Sequence, residues 1–202
     1  MEFMDAVRAR RTVREFADRP IPEDVLAEVL EAGRLAAAGR YAQRWYFGVV
    51  QDQSHKEALV AEACHQEWIA TAPVILALCA RLNDDLRGRA ADDMVLRVNQ
   101  ERFGEDVIEH LNAFANRQAI TTVLQNGDVF IPGQQMFLAA ANRGLSACWI
   151  GWVNIREAGR VLCLPDDVVC LFLMPMGYPA VEPDPGEWRD IEQMTFHERW
   201  GE

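Results

Sequence analysis

The apolar residues of this chain recur with two periods, and the period switches several times along its length. Residues 2–9 place Phe3, Met4 and Val7 on one side of a short helix. In DRPIPEDVLAEVLEAGRLAAA, Val25, Leu26, Val29 and Leu30 return at helical spacing. Pro22 stands where a first helical position tolerates it, with Glu23 and Asp24 in the first turn. WYFGVV, Trp45 to Val50, is aromatic and β-branched and predicts a strand. Residues 53–64 resume a helical pattern. APVILALCA, Ala72 to Ala80, is an unbroken apolar run of strand length, which suits a strand buried on both faces.

From Arg81 to about Arg117 the chain is charged and irregular, and exposed helices and loops are expected there. A long helix follows, roughly Asp128 to Asn142, with Pro132 and Gly133 perturbing its first turns and an end near Gly144. SACWIGWV reads as a third strand, REAGRVLC as a short helix, and DVVCLFLMPMGYP as a fourth strand running into a turn. After Pro179 the chain is polar and proline-rich until MTFHERW. Buried strands separated by helices imply a single α+β or α/β domain, residues 1–202, with helices on both faces of one sheet. A four-stranded sheet has two edges, and an extended tail can add to one of them.

Charge narrows the classes of partner. Twenty Lys and Arg face thirty-one Asp and Glu, a formal net charge of -11. That balance argues against general nucleic-acid binding, because a polyphosphate meets a repelling average field. No stretch approaches the roughly 20 apolar residues that cross a bilayer, and the start lacks the order of a secretory signal. A soluble, cytoplasmic protein is expected. Cys64, Cys79, Cys148, Cys163 and Cys170 are odd in number and none forms a CxxC pair, so reduced core residues are expected and no metal site.

Against this acidic background, RARRTVREF gathers Arg8, Arg10, Arg11 and Arg14 at the end of the first helix. Guanidinium groups bind phosphate through paired, charge-assisted hydrogen bonds, and Thr12 adds a hydroxyl. Taken alone, the cluster equally describes a solvated basic face, or arginines neutralising a helix C-terminus. AAAGRYAQRWYFGVV offers small residues that let a ligand approach the backbone, with Gln43 and Trp45 as candidate pocket borders. In GLSACWIGWVN, Gly151 interrupts an apolar run, the mark of a bulge or of a close backbone approach. Each of these stretches also has a plain structural reading.

Their order is more specific than any one of them. RRTVREF (Arg10 to Phe16), AAAGRYAQRWYF (Ala36 to Phe47), APVILA (Ala72 to Ala77), GLSACWIG (Gly144 to Gly151), LCLPDDV (Leu162 to Val168), GYPA (Gly177 to Ala180) and EWRDIE (Glu187 to Glu192) follow one another along nearly the whole chain. In that order the sequence resembles the nitroreductase family of flavin-dependent oxidoreductases. The resemblance implies an α-β-α sandwich. Its central mixed sheet would have four strands plus one from the partner's C-terminal tail, with helices on both faces. It implies a homodimer with FMN at the subunit interface, NAD(P)H as electron donor, and a small electron-poor acceptor, nitroaromatic or quinone, reduced in ping-pong order.

By the same resemblance, Arg10, Arg11, Thr12 and Arg14 would grip the FMN phosphate and ribityl chain, and Arg189 would close from the C-terminal side. Trp149, Ile150, Gly151 and Trp152 would lie along one face of the isoalloxazine, with the Gly151 N–H near N5. Gln66 would touch the cofactor, and Ala37, Ala38 and Gly39 of the partner subunit would complete the pocket. The flavin carries the redox chemistry, so no catalytic side chain and no metal is implied. The sequence departs from the family pattern where Pro-Ser becomes Ala37-Ala38, Asn becomes Tyr41 and Pro becomes Arg44. That altered loop keeps two alternatives open: different flavin chemistry, such as flavin fragmentation or reductive dehalogenation, or a non-catalytic flavin-binding protein. The 81–117 segment would border the active-site opening.

Overall fold

The computed structural model describes residues 2–38, 43–81, 97, 100, 101, 117–184, 186–196, 198 and 199. Gly39, Tyr41 and most of the 81–117 segment lie outside the described residues. The elements in chain order are α1 (Phe3–Ala9), α2 (Glu23–Arg34), β1 (Trp45–Val50), α3 (Gln53–Leu59) with a π turn at Val60–Cys64, a 3-10 turn at Glu67–Thr71, β2 (Val74–Arg81), α4 (Arg117–Asn142), β3 (Ser146–Ala147), α5 (Ile155–Val161), β4 (Val168–Gly177) and a 3-10 turn at Ile191–Gln193.

The period of two along β2 divides the interior. Val74, Leu76, Leu78 and Ala80 enter one apolar cluster with Leu26 and Val29 of α2 and Met136, Phe137 and Ala140 of α4. Ile75, Ala77 and Cys79 enter a second cluster with Leu59 of α3, Ala63 and Cys64 of the π turn and Ala158 of α5. Both faces are covered, so neither alternation set is polar and the strand reads as one apolar run. This is an α-β-α sandwich, as expected.

The sheet order is β1-β2-β4-β3. A mixed sheet was expected, but all three ladders are antiparallel. The chain leaves β1 at Val50 and re-enters at β2 with Ile75 directly opposite, so the helical connection closes on its own starting end. A parallel pair needs a crossover that carries the chain to the other end of the sheet. Among the described residues, parallel pairing is confined to one bridge, Thr12 with Ala147. The β2–β4 register shifts after Leu78: Leu78 faces Phe172 while Cys79 faces Cys170. Leu171 is the extra residue of this bulge, and it packs with Phe172 against the first cluster.

The long helix begins at Arg117, well before the expected Asp128, and carries Pro132 inside it. Proline removes one helical hydrogen bond, and here the helix continues because its buried face is held by the sheet and by α2. It ends as the glycine suggested. Gly144 has φ 74, its N–H donates to the Ala141 carbonyl at 3.0 Å, and the Leu145 N–H donates to the Ala140 carbonyl at 3.0 Å. These are the two bonds of a Schellman cap.

Close helix packing depends on two glycines of unequal tolerance. A Cβ on Gly133 would stand 2.3 Å from Trp149 Cη2 and 2.9 Å from Leu78 Cδ1. A Cβ on Gly33 would meet Met136 Cγ and Sδ at 2.8 Å, atoms of a flexible side chain. Gly133→Ala should therefore cost about 1–2 kcal/mol net, an overpacking loss reduced by the gain in helix propensity, while Gly33→Ala costs less. Urea unfolding of the two variants checks the ranking.

Cys64, Cys79, Cys148 and Cys170 are buried, and burial pushes the Cys64 and Cys148 thiols up. Cys163 departs from the expected core role and is exposed, in the turn after α5 with φ 51. Among the described residues, no helix is long and apolar enough to cross a membrane.

Candidate functional site

The arginine segment is locked in place by main-chain bonds at both ends. The Arg10 N–H closes α1 on the Ala6 carbonyl at 3.0 Å. The Val13 N–H then donates to the Ala147 carbonyl at 3.3 Å, and the Ala17 N–H to the Tyr178 carbonyl at 2.8 Å. The Ala180 N–H returns to the Glu15 carbonyl at 3.1 Å. Residues 10–17 thus run beside the β3 edge and the turn after β4. Val13 is buried, while Thr12 and Arg14 are exposed on either side of it.

The four arginines have different surroundings. Arg8 is exposed and pairs with Asp5 at 3.6 Å. Arg10 is half-buried, its guanidinium 5.2 Å from the centroid of the Phe137 ring and 5.9 Å from that of Trp188. Desolvation pushes its pKa down, and the adjacent Arg11 adds to this. Arg11 donates from Nε to the Asp184 carbonyl at 3.2 Å and from one Nη to the Arg10 carbonyl at 2.9 Å, and also to the Arg8 carbonyl. It is a brace as well as a charge. Arg14 lies close enough to Cys148 to favour its thiolate.

Elsewhere Arg34, Arg81, Arg97, Arg143 and Arg160 each lie within ion-pair distance of a carboxylate. Among the described residues, Arg10, Arg11 and Arg14 have no such carboxylate partner. In a chain of net charge -11, this is a local concentration of uncompensated positive charge.

The CWIGW stretch is only partly a strand. Pairing stops at Ala147 and returns as a single bridge, where the Ile150 N–H donates to the Leu173 carbonyl at 2.9 Å and the Leu173 N–H donates back at 3.1 Å. Trp149 turns inward, its ring 5.6 Å from Phe130 and 5.4 Å from Phe172. Ile150 is buried, Gly151 is exposed, and Trp152 is 91% exposed. An added Cβ on Gly151 would meet the Phe172 ring at 3.2 Å, so this exposed main chain is left without a side chain over it.

Gln66 is half-buried and accepts from Trp68 Nε1 at 3.3 Å. Trp68 in turn stacks on Phe16 of the arginine segment, with centroids 6.5 Å apart. Ala37 is exposed beyond the end of α2, and Ala38 packs against the first cluster. Gln43, expected to border a pocket, donates to the Arg34 carbonyl at 2.7 Å and caps α2. Trp45, the other candidate border, is a core residue of β1. Arg189 is exposed in the C-terminal segment, one residue after Trp188.

Phe137 and Trp188 are the residues that sequence reasoning missed. Phe137 is far from Arg10 in the chain, and its helical spacing announces only a core residue. Trp188 sat inside the EWRDIE motif without a role. An open hollow of about 550 Å³ lies elsewhere, lined by Gln53, Glu57, His65, Glu67 and Thr71 among others. Its two carboxylates suit a phosphate poorly, and none of the arginines lines it.

Comparison with known proteins agrees with this geometry. The Nitroreductase family profile matches residues 7–178. The chain is 30% identical over 199 residues to an NADH dehydrogenase of Thermus thermophilus, covering 97% of this chain and 96% of that protein. It is 30% identical to an FMN reductase [NAD(P)H] of Bacillus subtilis, over 89% of this chain and 66% of that one. Among solved structures, the NADPH:FMN oxidoreductase of Vibrio harveyi complexed with NAD+ superposes with a TM-score of 0.74 at 20% identity, covering 99% of this chain and 78% of its own. A nitroreductase family protein of Clostridium difficile superposes with a TM-score of 0.72 at 19% identity, covering 98% of this chain and 99% of its own. At those identities the structures speak for the fold, and the family profile together with the T. thermophilus relative speaks for descent: the chain belongs to the nitroreductase family.

Proposed function

We propose that this chain is an FMN-dependent NAD(P)H oxidoreductase that acts as a homodimer and reduces an electron-poor acceptor, a nitroaromatic or a quinone. The observation that carries this reading is the setting of Arg10. A half-buried guanidinium stands beside a second one, without a carboxylate partner among the described residues, in an acidic protein. Such a group calls for an anion. The kinds of relative agree, since their names are NADH dehydrogenase and FMN reductase [NAD(P)H].

The residues present fit the parts of FMN. Arg10, Arg14 and the Thr12 hydroxyl would hold the phosphate and ribityl chain, with Arg11 bracing them and Arg189 approaching from the C-terminal segment. Gly151, exposed and free of a side chain, offers its main chain to the ring edge. Trp149 supports that main chain from within, while Ile150 and Trp152 flank it. Gln66 would reach the cofactor from the Phe16 side, and Ala37, Ala38 and Gly39 of the partner subunit would complete the pocket. When bound, FMN supplies the two-electron exchange between nicotinamide and acceptor. The positive field of the arginines would favour an anionic ligand here. A single redox group serves both reactants, so ping-pong order is expected, with the nicotinamide leaving before the acceptor enters.

The dimer has support of its own. Phe3 and Met4 on α1 and Ile191, Met194 and Phe196 in the C-terminal segment are all exposed apolar side chains, more than an isolated chain comfortably leaves in water. The cofactor reading is tested by the absorption spectrum of the purified protein, followed by anaerobic mixing with NADH and with NADPH. Retained flavin that bleaches with one of them is the expected result. A colourless protein that takes up no added FMN overturns the reading.

A further inference from the structure

The surroundings of Arg10 assign a task to Trp188, and this inference rests on the reading of Arg10 as the phosphate anchor. We propose that Trp188 is a positioning residue for that anchor. It lies four residues beyond Asp184, which Arg11 holds, and it gives the site its preference for a phosphorylated flavin over the unphosphorylated one.

The C-terminal segment is tied to the arginine segment at two points. Arg11 Nε donates to the Asp184 carbonyl at 3.2 Å, and four residues later the Trp188 ring reaches the Arg10 guanidinium at 5.9 Å. A Cβ added to Gly186 would sit 3.5 Å from the Trp188 indole, so the indole lies back against Gly186. Trp188 is nevertheless 72% exposed. A large aromatic side chain in that state is not held by core burial, and Arg10 is the partner it has found.

The chemistry of a guanidinium explains what this contact does. Its faces stack on rings, while its N–H donors lie in its plane. Phe137 and Trp188, with ring centroids 5.2 Å and 5.9 Å from the Arg10 Cζ, bring no oxygen to that fork and so leave its donors to an anion. A carboxylate partner would have consumed that fork. Holding the side chain in one rotamer also removes part of the ordering cost from the binding step. The benefit is specific to the ligand's phosphate, since Trp188 acts through Arg10 and needs no contact with the flavin ring.

The test compares FMN with riboflavin on full-length protein stripped of flavin, by quenching of flavin fluorescence. Wild type should bind FMN at least about 10-fold tighter than riboflavin, the difference being the charge-assisted phosphate bonds. Trp188→Ala should weaken FMN binding about 3- to 5-fold, the size of an exposed cation–π contact, and leave riboflavin unchanged. Trp188→Phe, which keeps a ring face, should retain most of the FMN affinity. Trp188→Leu, which keeps bulk without a π face, should behave like Trp188→Ala. Equal losses for FMN and riboflavin, or rescue by Leu as good as by Phe, overturn the role of Trp188 while leaving the anchor intact. A wild type that does not distinguish the two flavins overturns both.

Discussion

Phe137→Ala should lower the free energy of unfolding by about 3–5 kcal/mol, the loss usual for a large aromatic removed from a packed interior. Phe137 is 1% exposed and lies in the cluster shared by α2, α4 and one face of β2. The same substitution removes one of the two rings that meet Arg10. Phe137→Leu separates these effects. It keeps most of the buried volume, so its stability cost should be under about 1.5 kcal/mol, yet it removes the aromatic face. Urea unfolding together with FMN titration distinguishes the roles. Both variants should weaken FMN binding, and only Ala should greatly lower the unfolding midpoint. A Leu variant with wild-type FMN affinity would mean that Phe137 serves packing alone.

Arg10→Ala should carry the largest effect on cofactor binding. Removing one partner from a partly desolvated charge pair costs about 2–3 kcal/mol, or roughly 30- to 150-fold in Kd for FMN. Riboflavin binding should change little. Arg10→Lys keeps the charge and loses both the planar fork and its stacking, so an intermediate loss is expected. Arg8→Ala is the matched control. Arg8 is exposed and its pairing with Asp5 at 3.6 Å belongs to the surface class of ion pairs, so affinity should stay within about twofold. Equal losses from Arg8→Ala and Arg10→Ala would mean that general surface charge, and not a built anion site, holds the ligand.

Local patterns announced most of the elements, because each depended on neighbours in sequence. The two-sided burial of β2, the Schellman end of α4 at Gly144 and the acidic first turn of α2 are of this kind. What escaped was set by packing at long range. Pro132 was expected to disturb the first turns of a helix beginning near Asp128, but the sheet beneath it lets α4 run through it from Arg117. The CWIGW stretch has the composition of a strand, yet its ladder covers Ser146–Ala147, with a further bond from the Cys148 N–H to the Pro175 carbonyl and a lone bridge at Ile150. At the site, the arginines were legible as an excess of charge in an acidic chain. Their rings were not, since nothing near Arg10 in sequence points to Phe137 or Trp188. The inward turn of Trp149, against Phe130 and Phe172, was equally invisible in a run where every residue is apolar or small.

The bonds that hold residues 10–17 have an effect on how the protein is made. Their partners are Ala147, Tyr178 and Ala180, and Arg11 is braced by Asp184. Residues 10–17 therefore find their places only after partners more than a hundred residues downstream have been made. Until synthesis has passed Asp184, residues 10–17 lack these partners, so under the proposed reading flavin should not act as an early folding template. A product cut short before Asp184 would lack the brace on Arg11, and under the proposed reading it should load flavin poorly.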